Sequence, residues 1–198
     1  MSNLENVRRL SEDDLWHHAG TDSPMTGRVT GPEMSLEEYL RTNWEPDAEF
    51  VEGIVEYRMH GEMTHGRWQA AVMLWFYDQA VARKIEVFTS LRVLVAETRV
   101  RVPDVCIVDA ASDSSTPDED ILTRPPIGVF EILSPADTAM RPRRKLRDYA
   151  AMGIPQIWVV DPEDRTWMRY QNGVLSEKPD FRFGEMVFQW SEVAKLVR

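Results

Sequence analysis

Three stretches of this sequence, Val105–Val108, Gly128–Leu133 and Gln156–Val160, place apolar side chains on consecutive positions. Successive side chains of a strand point to opposite faces, so a strand that is apolar at both parities has no face to offer water. Such strands belong inside a sheet that is covered on both sides, and helices are the usual cover. The rest of the chain supplies them. After Thr64, a candidate N-cap, Trp68, Ala71, Val72, Trp75, Phe76 and Val81 recur at helical spacing and predict a long helix to about Arg83. Ser35-Leu36-Glu37-Glu38 forms a capping-box pattern that opens a short helix through Arg41. Thr138–Met152 reads as a helix stopped by Gly153 and Pro155, and Ser191–Val197 as a closing helix.

Further strands are predicted at Glu86–Thr89, Arg92–Val95 and Val100–Val108, with a bent strand or hairpin over Phe50–Tyr57. Trp167–Tyr170 and Gly173–Leu175 read as a second hairpin. This order predicts one mixed α/β domain over residues 34–198, an α+β mixed sheet flanked by helices. Residues 1–33, rich in Ser, Asp, Gly, Thr and Pro without a sustained period, read as a poorly ordered extension. Ala111–Pro126 reads as an acidic surface loop.

The formal charge is −10, and residues 1–64 hold 14 acidic against 5 basic side chains. That balance argues against loose, charge-driven binding to nucleic acid. Arg141, Arg143, Arg144, Lys145 and Arg147 form the one basic cluster, either a solvated face or an anion-facing patch. A single cysteine, Cys106, excludes an internal disulfide and a cysteine-built zinc site, and its apolar strand suits a core residue better than a nucleophile. No apolar run approaches the about 18–20 residues of a membrane helix, and no secretory pattern opens the chain, so a cytoplasmic protein is expected.

Two charged residues conflict with this pattern. Asp104 immediately precedes Val105-Cys106-Ile107-Val108, and Glu131 lies within Val129-Phe130-Glu131-Ile132-Leu133. A buried ion without a partner costs several kcal/mol, so each needs an arginine such as Arg99 or Arg101, a proton, or a bound cation. Two carboxylates brought together by adjacent strands repel unless they share a proton or a metal, and such a pair suits a divalent cation. Oxygen-only ligation favours Mg²⁺ or Mn²⁺ over zinc. Only four of the 23 basic residues are lysines, and Lys145 borders the apolar stripe Leu146, Tyr149 and Ala150 on the helix that follows Glu131. There it either snorkels to solvent or holds its ammonium over the carboxylates. His17-His18 lacks metal spacing, and Asp113–Asp120 lacks the glycine and spaced ligands of a calcium loop.

Taken in order, Pro103-Asp104, Glu131-Ile132-Leu133-Ser134-Pro135, Lys145-x-x-x-Tyr149 and Gly153-Ile154-Pro155-x-x-Trp158-x-x-Asp161-Pro162 resemble the Uma-family putative restriction endonucleases of the PD-(D/E)xK nuclease superfamily. Glu49-Phe50-Val51-Glu52-Gly53 resembles that family's Glu-Leu-Ile-Asp-Gly segment, and His65 matches the histidine that opens its long helix. The resemblance runs from about Ser35 to the C-terminus. It implies a restriction-endonuclease-like core of mixed β-sheet flanked by helices, and metal-dependent hydrolysis of DNA phosphodiester bonds. It further implies that Asp104 and Glu131 grip Mg²⁺ or Mn²⁺, with the Ile132 carbonyl as a further ligand. Lys145 would orient or deprotonate the attacking water or stabilise developing charge. Glu49, in preference to Glu52, would add an outer-sphere or second-metal carboxylate, and His65 would contact phosphate or a site water. A homodimer would serve the two strands of a duplex. One departure from the family pattern is Arg141, where many members carry Asp. A nuclease fold used as a binding or assembly module, or a hydrolase of small phosphoesters, are the other readings.

Overall fold

In the computed structural model, residues 30–45, 47–58, 62–110, 121–134 and 140–197 are described. The chain begins with β1 (Thr30–Glu33), α1 (Leu36–Arg41), β2 (Ala48–Val51) and β3 (Ile54–Tyr57). The long helix α2 (Met63–Arg83) leads into β4 (Ile85–Thr89), β5 (Val93–Ala96), β6 (Arg99–Arg101) and β7 (Val105–Asp109). Then come β8 (Gly128–Ile132), α3 (Met140–Met152) and β9 (Gln156–Asp161), followed by β10 (Thr166–Gln171), β11 (Val174–Glu177), β12 (Asp180–Phe183), β13 (Met186–Gln189) and α4 (Trp190–Ala194).

The strands form two main sheets and a separate β12–β13 hairpin. The larger sheet runs β11-β10-β9-β8-β7-β4 and is mixed, with β8 and β9 parallel and the other pairs antiparallel. A parallel pair needs a crossover, and α3 is that connection. The smaller sheet, β1-β3-β2-β6-β5, is antiparallel throughout.

The apolar runs occupy the centre of the larger sheet. Val105, Ile107, Phe130, Ile132, Trp158 and Val160 face α2 and α4, where Trp68, Val72, Phe76, Trp190 and Val193 complete a core. At the alternate positions Cys106, Val108, Val129, Ile157 and Val159 face Leu146 and Tyr149 of α3. Glu131, between Phe130 and Ile132, therefore points to the α3 side. Burial pushes the Cys106 thiol up to about 12, as a core cysteine requires.

Several boundaries differ from expectation for local reasons. The predicted strand Val100–Val108 is two strands, β6 and β7, belonging to different sheets. Pro103 lacks the N–H that a ladder requires, so pairing stops there and the chain passes from one sheet to the other. The Phe50–Tyr57 segment is a hairpin, β2–β3, whose turn places Glu52 at φ 52° and Gly53 at φ 88°. Positive φ at both central positions is the two-residue turn that matches strand twist, and glycine takes the second at no steric cost. The capping box at Ser35–Glu38 forms, with the Ser35 N–H donating to Glu38 Oε2 at 2.8 Å. The long helix starts one residue before Thr64, with Glu62 rather than Thr64 at its N-cap. The closing helix is Trp190–Ala194, shorter than predicted, and the β12–β13 hairpin had no counterpart in the sequence reading.

Thr30–Glu33, inside the expected extension, is an edge strand on β3. The rest of that extension, His17-His18 and most of the acidic loop at 111–126 lie outside the described residues, as does the Arg141 side chain.

Candidate active site

The seam between the two sheets collects the charged residues. Glu49 comes from β2, Arg101 from the end of β6, Asp104 from the crossing segment, and Glu131 from β8. From α3, which packs against both β5 and β9, come Lys145, Asp148 and Tyr149. These three are spaced i, i+3 and i+4, so a single helix face delivers all of them to the seam.

Each carboxylate has specific donors. Glu131 Oε2 accepts from Lys145 Nζ at 2.6 Å, and Glu131 Oε1 accepts from the Tyr149 hydroxyl at 2.6 Å. The Lys145 ammonium also lies 3.0 Å from Glu49 Oε1 and donates to the Val102 carbonyl at 3.3 Å. Its three protons therefore meet three protein acceptors. Arg101 donates through Nη1 to Glu49 Oε2 at 3.0 Å and through Nε to Asp148 Oδ2 at 2.7 Å. Asp104 Oδ2 accepts the Ile132 backbone N–H at 2.7 Å and stands 3.3 Å from His65 Nε2, while Asp104 Oδ1 pairs with Arg58. Gln69 on α2 donates to the Asp104 carbonyl at 2.8 Å, fixing the crossing segment from a third side.

Electrostatics separates the two strand acids. Burial opposes ionisation of Asp104, yet the His65 hydrogen bond and the charges of Arg58 and Lys145 hold its carboxyl down at about 2. Burial pushes Glu131 up to about 7 against the pull of Lys145, with Asp104 and Glu49 adding to the rise. Burial also disfavours the Lys145 ammonium, but Glu131 and Glu49 more than offset it and raise its pKa above the ordinary lysine value.

The five predicted side chains form two adjoining sets: Glu49, Glu131 and Lys145 are bonded to one another, while Asp104, paired with His65, meets them through the Ile132 backbone N–H next to Glu131. Glu52 does not join them: it sits exposed in the β2–β3 turn, paired with Arg99. Neither Arg99 nor Arg101 neutralises Asp104 or Glu131; both turn to Asp148. Lys145 is buried and so leaves the expected basic patch, of which Arg144 and Arg147 are exposed. Sequence reasoning missed Arg58 and Asp148, offered Arg101 as a partner for Asp104 or Glu131 where it meets Glu49 and Asp148, and read the Tyr149 side chain as part of an apolar stripe.

Among the described residues the buried charged side chains are Glu49, Glu56, Asp104, Glu131 and Asp148 against Arg101 and Lys145. Even with the half-buried Arg58 added, acids outnumber cations, and a divalent cation would offset that surplus. Asp104 and Glu131 each retain lone pairs beyond those their donors occupy, so an oxygen-only donor set fits a hard cation. No group of three or more His, Cys, Asp or Glu side chains is gathered for a metal among the described residues, so the fit rests on Asp104 and Glu131.

The arrangement of strands and helices matches a solved structure, that of a putative nuclease belonging to DUF820 from Anabaena variabilis. The match has a TM-score of 0.70 and 19% identity, and covers 83% of this chain and 99% of that one. The chain therefore has the nuclease-type fold, a mixed sheet flanked by helices. The model of the Uma2 family, described as "Putative restriction endonuclease", matches residues 36–189, and the chain belongs to that family. No curated protein matches it.

Proposed function

We propose that this protein is a divalent-metal-dependent DNA endonuclease whose centre is Asp104, Glu131, Lys145, Glu49 and His65. The observation that carries this reading is the buried excess of acid at the seam, built from both sheets around one lysine. Family membership points to an enzyme acting on phosphodiester bonds. Asp104 and Glu131 would hold Mg²⁺ or Mn²⁺, with the Ile132 carbonyl as a further ligand. Such a cation supplies a bound water of lowered pKa and positive charge at the scissile phosphate.

The chain's own residues prepare the centre. Tyr149 and Lys145 fix the two oxygens of Glu131, and the Ile132 N–H and His65 fix Asp104. Lys145 is held as an ammonium by Glu131 and Glu49, which raise its pKa, and it supplies positive charge beside the acids. Glu49 holds Lys145 and Arg101 together and acts as an outer-sphere carboxylate. A cytoplasmic homodimer would present one centre to each strand of a duplex. No helix among the described residues is long and apolar enough to cross a membrane.

Plasmid nicking at low salt with Mn²⁺ or Mg²⁺, wild type beside Asp104→Asn, tests the reading, with Mn²⁺ binding followed by calorimetry. Metal-dependent cutting that the variant loses supports it. A wild type that binds no Mn²⁺ and cuts nothing would leave the nuclease fold serving as a binding or assembly module.

A further inference from the structure

The cations of the site differ in what they have left to give a substrate. Lys145, with a side chain 6% exposed, spends its protons on Glu131, Glu49 and the Val102 carbonyl. Arg101, 2% exposed, is committed to Glu49 and Asp148. Both face inward, and neither can take an anionic ligand without breaking the network that orders the acids. Arg58 is placed otherwise. Its side chain is 18% exposed, the most open of the three, and it stands directly on Asp104.

The attachment of Arg58 suits a side chain that changes partners. Its backbone N–H donates to the Asp47 carbonyl at 3.0 Å, so the β2–β3 hairpin fixes its Cα. The guanidinium reaches across the seam, Nη2 to Asp104 Oδ1 and Nη1 to the Ser90 hydroxyl at 3.2 Å, with Asp47 Oδ2 at 3.7 Å. A guanidinium carries five N–H groups in a planar fork that matches two oxygens of a phosphate. Among the described residues, the hydrogen bonds of Arg58 use only its two terminal nitrogens, one acceptor each.

We propose that Arg58 is the phosphate-binding residue of this site. In the metal-free protein it neutralises Asp104; with a cation on Asp104 it turns its fork to a phosphodiester oxygen. This rests on the nuclease reading above. The same contact makes Arg58 a competitor of the cation, because both claim Asp104 Oδ1 and both are positive.

Two readouts other than cleavage test it, on wild type, Arg58→Gln and Arg58→Lys. Gln keeps one donor for Asp104 without the charge, and Lys keeps the charge without the fork. Calorimetry with Mn²⁺ alone should show tighter binding to Arg58→Gln, by about tenfold or more, and little change for Arg58→Lys. Titration of a labelled DNA duplex in Ca²⁺ against increasing salt should give Arg58→Gln a log–log slope shallower by about one phosphate contact, restored in Arg58→Lys. If wild type binds Mn²⁺ and duplex while Arg58→Gln equals it in both measurements, the role of Arg58 is refuted and the nuclease reading stands. A wild type that binds neither Mn²⁺ nor duplex would overturn both.

Discussion

Lys145 offers the sharpest test of how the seam is held. Replacing it by Met preserves much of the side-chain volume but removes the donor to Glu131 at 2.6 Å, the ion pair to Glu49 at 3.0 Å and the bond to the Val102 carbonyl at 3.3 Å. Two buried carboxylates lose a shared cation, and breaking a buried pair by removing one partner costs about 3–5 kcal/mol. For a domain of this size each kcal/mol moves Tm by about 2–4 °C, so the variant should melt about 6–20 °C below wild type. The measurement is thermal unfolding by circular dichroism in EDTA at pH 8. Two internal controls follow from the chemistry. Adding Glu131→Gln to Lys145→Met removes one stranded charge while keeping a partner for Tyr149, so the double variant should melt above the single one. The deficit of Lys145→Met should also shrink at pH 6, where Glu131 takes up a proton and needs no cation. A Lys145→Met protein within about 2 °C of wild type at pH 8, or a double variant below the single, would refute the network as the source of order here.

Three further outcomes are expected. Glu131 has a folded-state pKa near 7, raised from an ordinary 4.5, so the folded state binds its proton more tightly. Metal-free wild type should therefore lose stability as pH rises from about 4.5 to 7, and urea titrations of Glu131→Gln should lack that component of the slope. At Gly128 an added Cβ would stand 3.1 Å from Gln156 Cβ and 3.2 Å from its carbonyl oxygen, across the parallel β8–β9 pair. Overpacking of about 1–3 kcal/mol outweighs the about 0.4–1 kcal/mol gained from a stiffer unfolded chain, so Gly128→Ala should lower Tm. Cys106, buried and with its thiol pushed up to about 12, should resist a disulfide reagent at pH 8 until denaturant is added. Labelling of the native protein within minutes would contradict its burial.

The parts of this architecture visible in the sequence are those where one residue breaks a strong local pattern. Asp104 and Glu131 stood out because a strand apolar at both parities has no place for an ion, and Lys145 because it bordered an apolar helical stripe. The spacing of Asp148 and Tyr149 from Lys145 held the signal that all three share a face, but apolar periodicity absorbs Tyr149 into the core and leaves Asp148 as an ordinary surface acid. Arg58 had no local signal at all. It follows a short strand, and its partner Asp104 lies 46 residues further on. The division into two sheets was hidden because Val100–Val108 reads as a single strand, although Pro103 stands inside it and its missing N–H decides the break. Arg101 was legible as an ion-pair partner, but which acid it meets depends on how the two sheets dock, which is a long-range property.

That docking has a consequence for the order in which the protein acquires its chemistry. The bonds that assemble the centre join Glu49 to Arg101, Asp104 to Arg58 and Ile132, and Lys145 to Glu49 and Glu131. Only the Glu49–Arg101 pair lies within one sheet; the others join the two sheets, the segment that crosses between them, or α3, and contacts between residues far apart in sequence form after the intervening loops have been closed. During synthesis the β2–β3 hairpin, with Glu49, emerges almost a hundred residues before Lys145. A nascent or partly unfolded chain therefore holds the acids without the lysine that gathers them. The competence of the centre reports completion of the domain, so a truncated or misdocked chain would also lack the assembled centre.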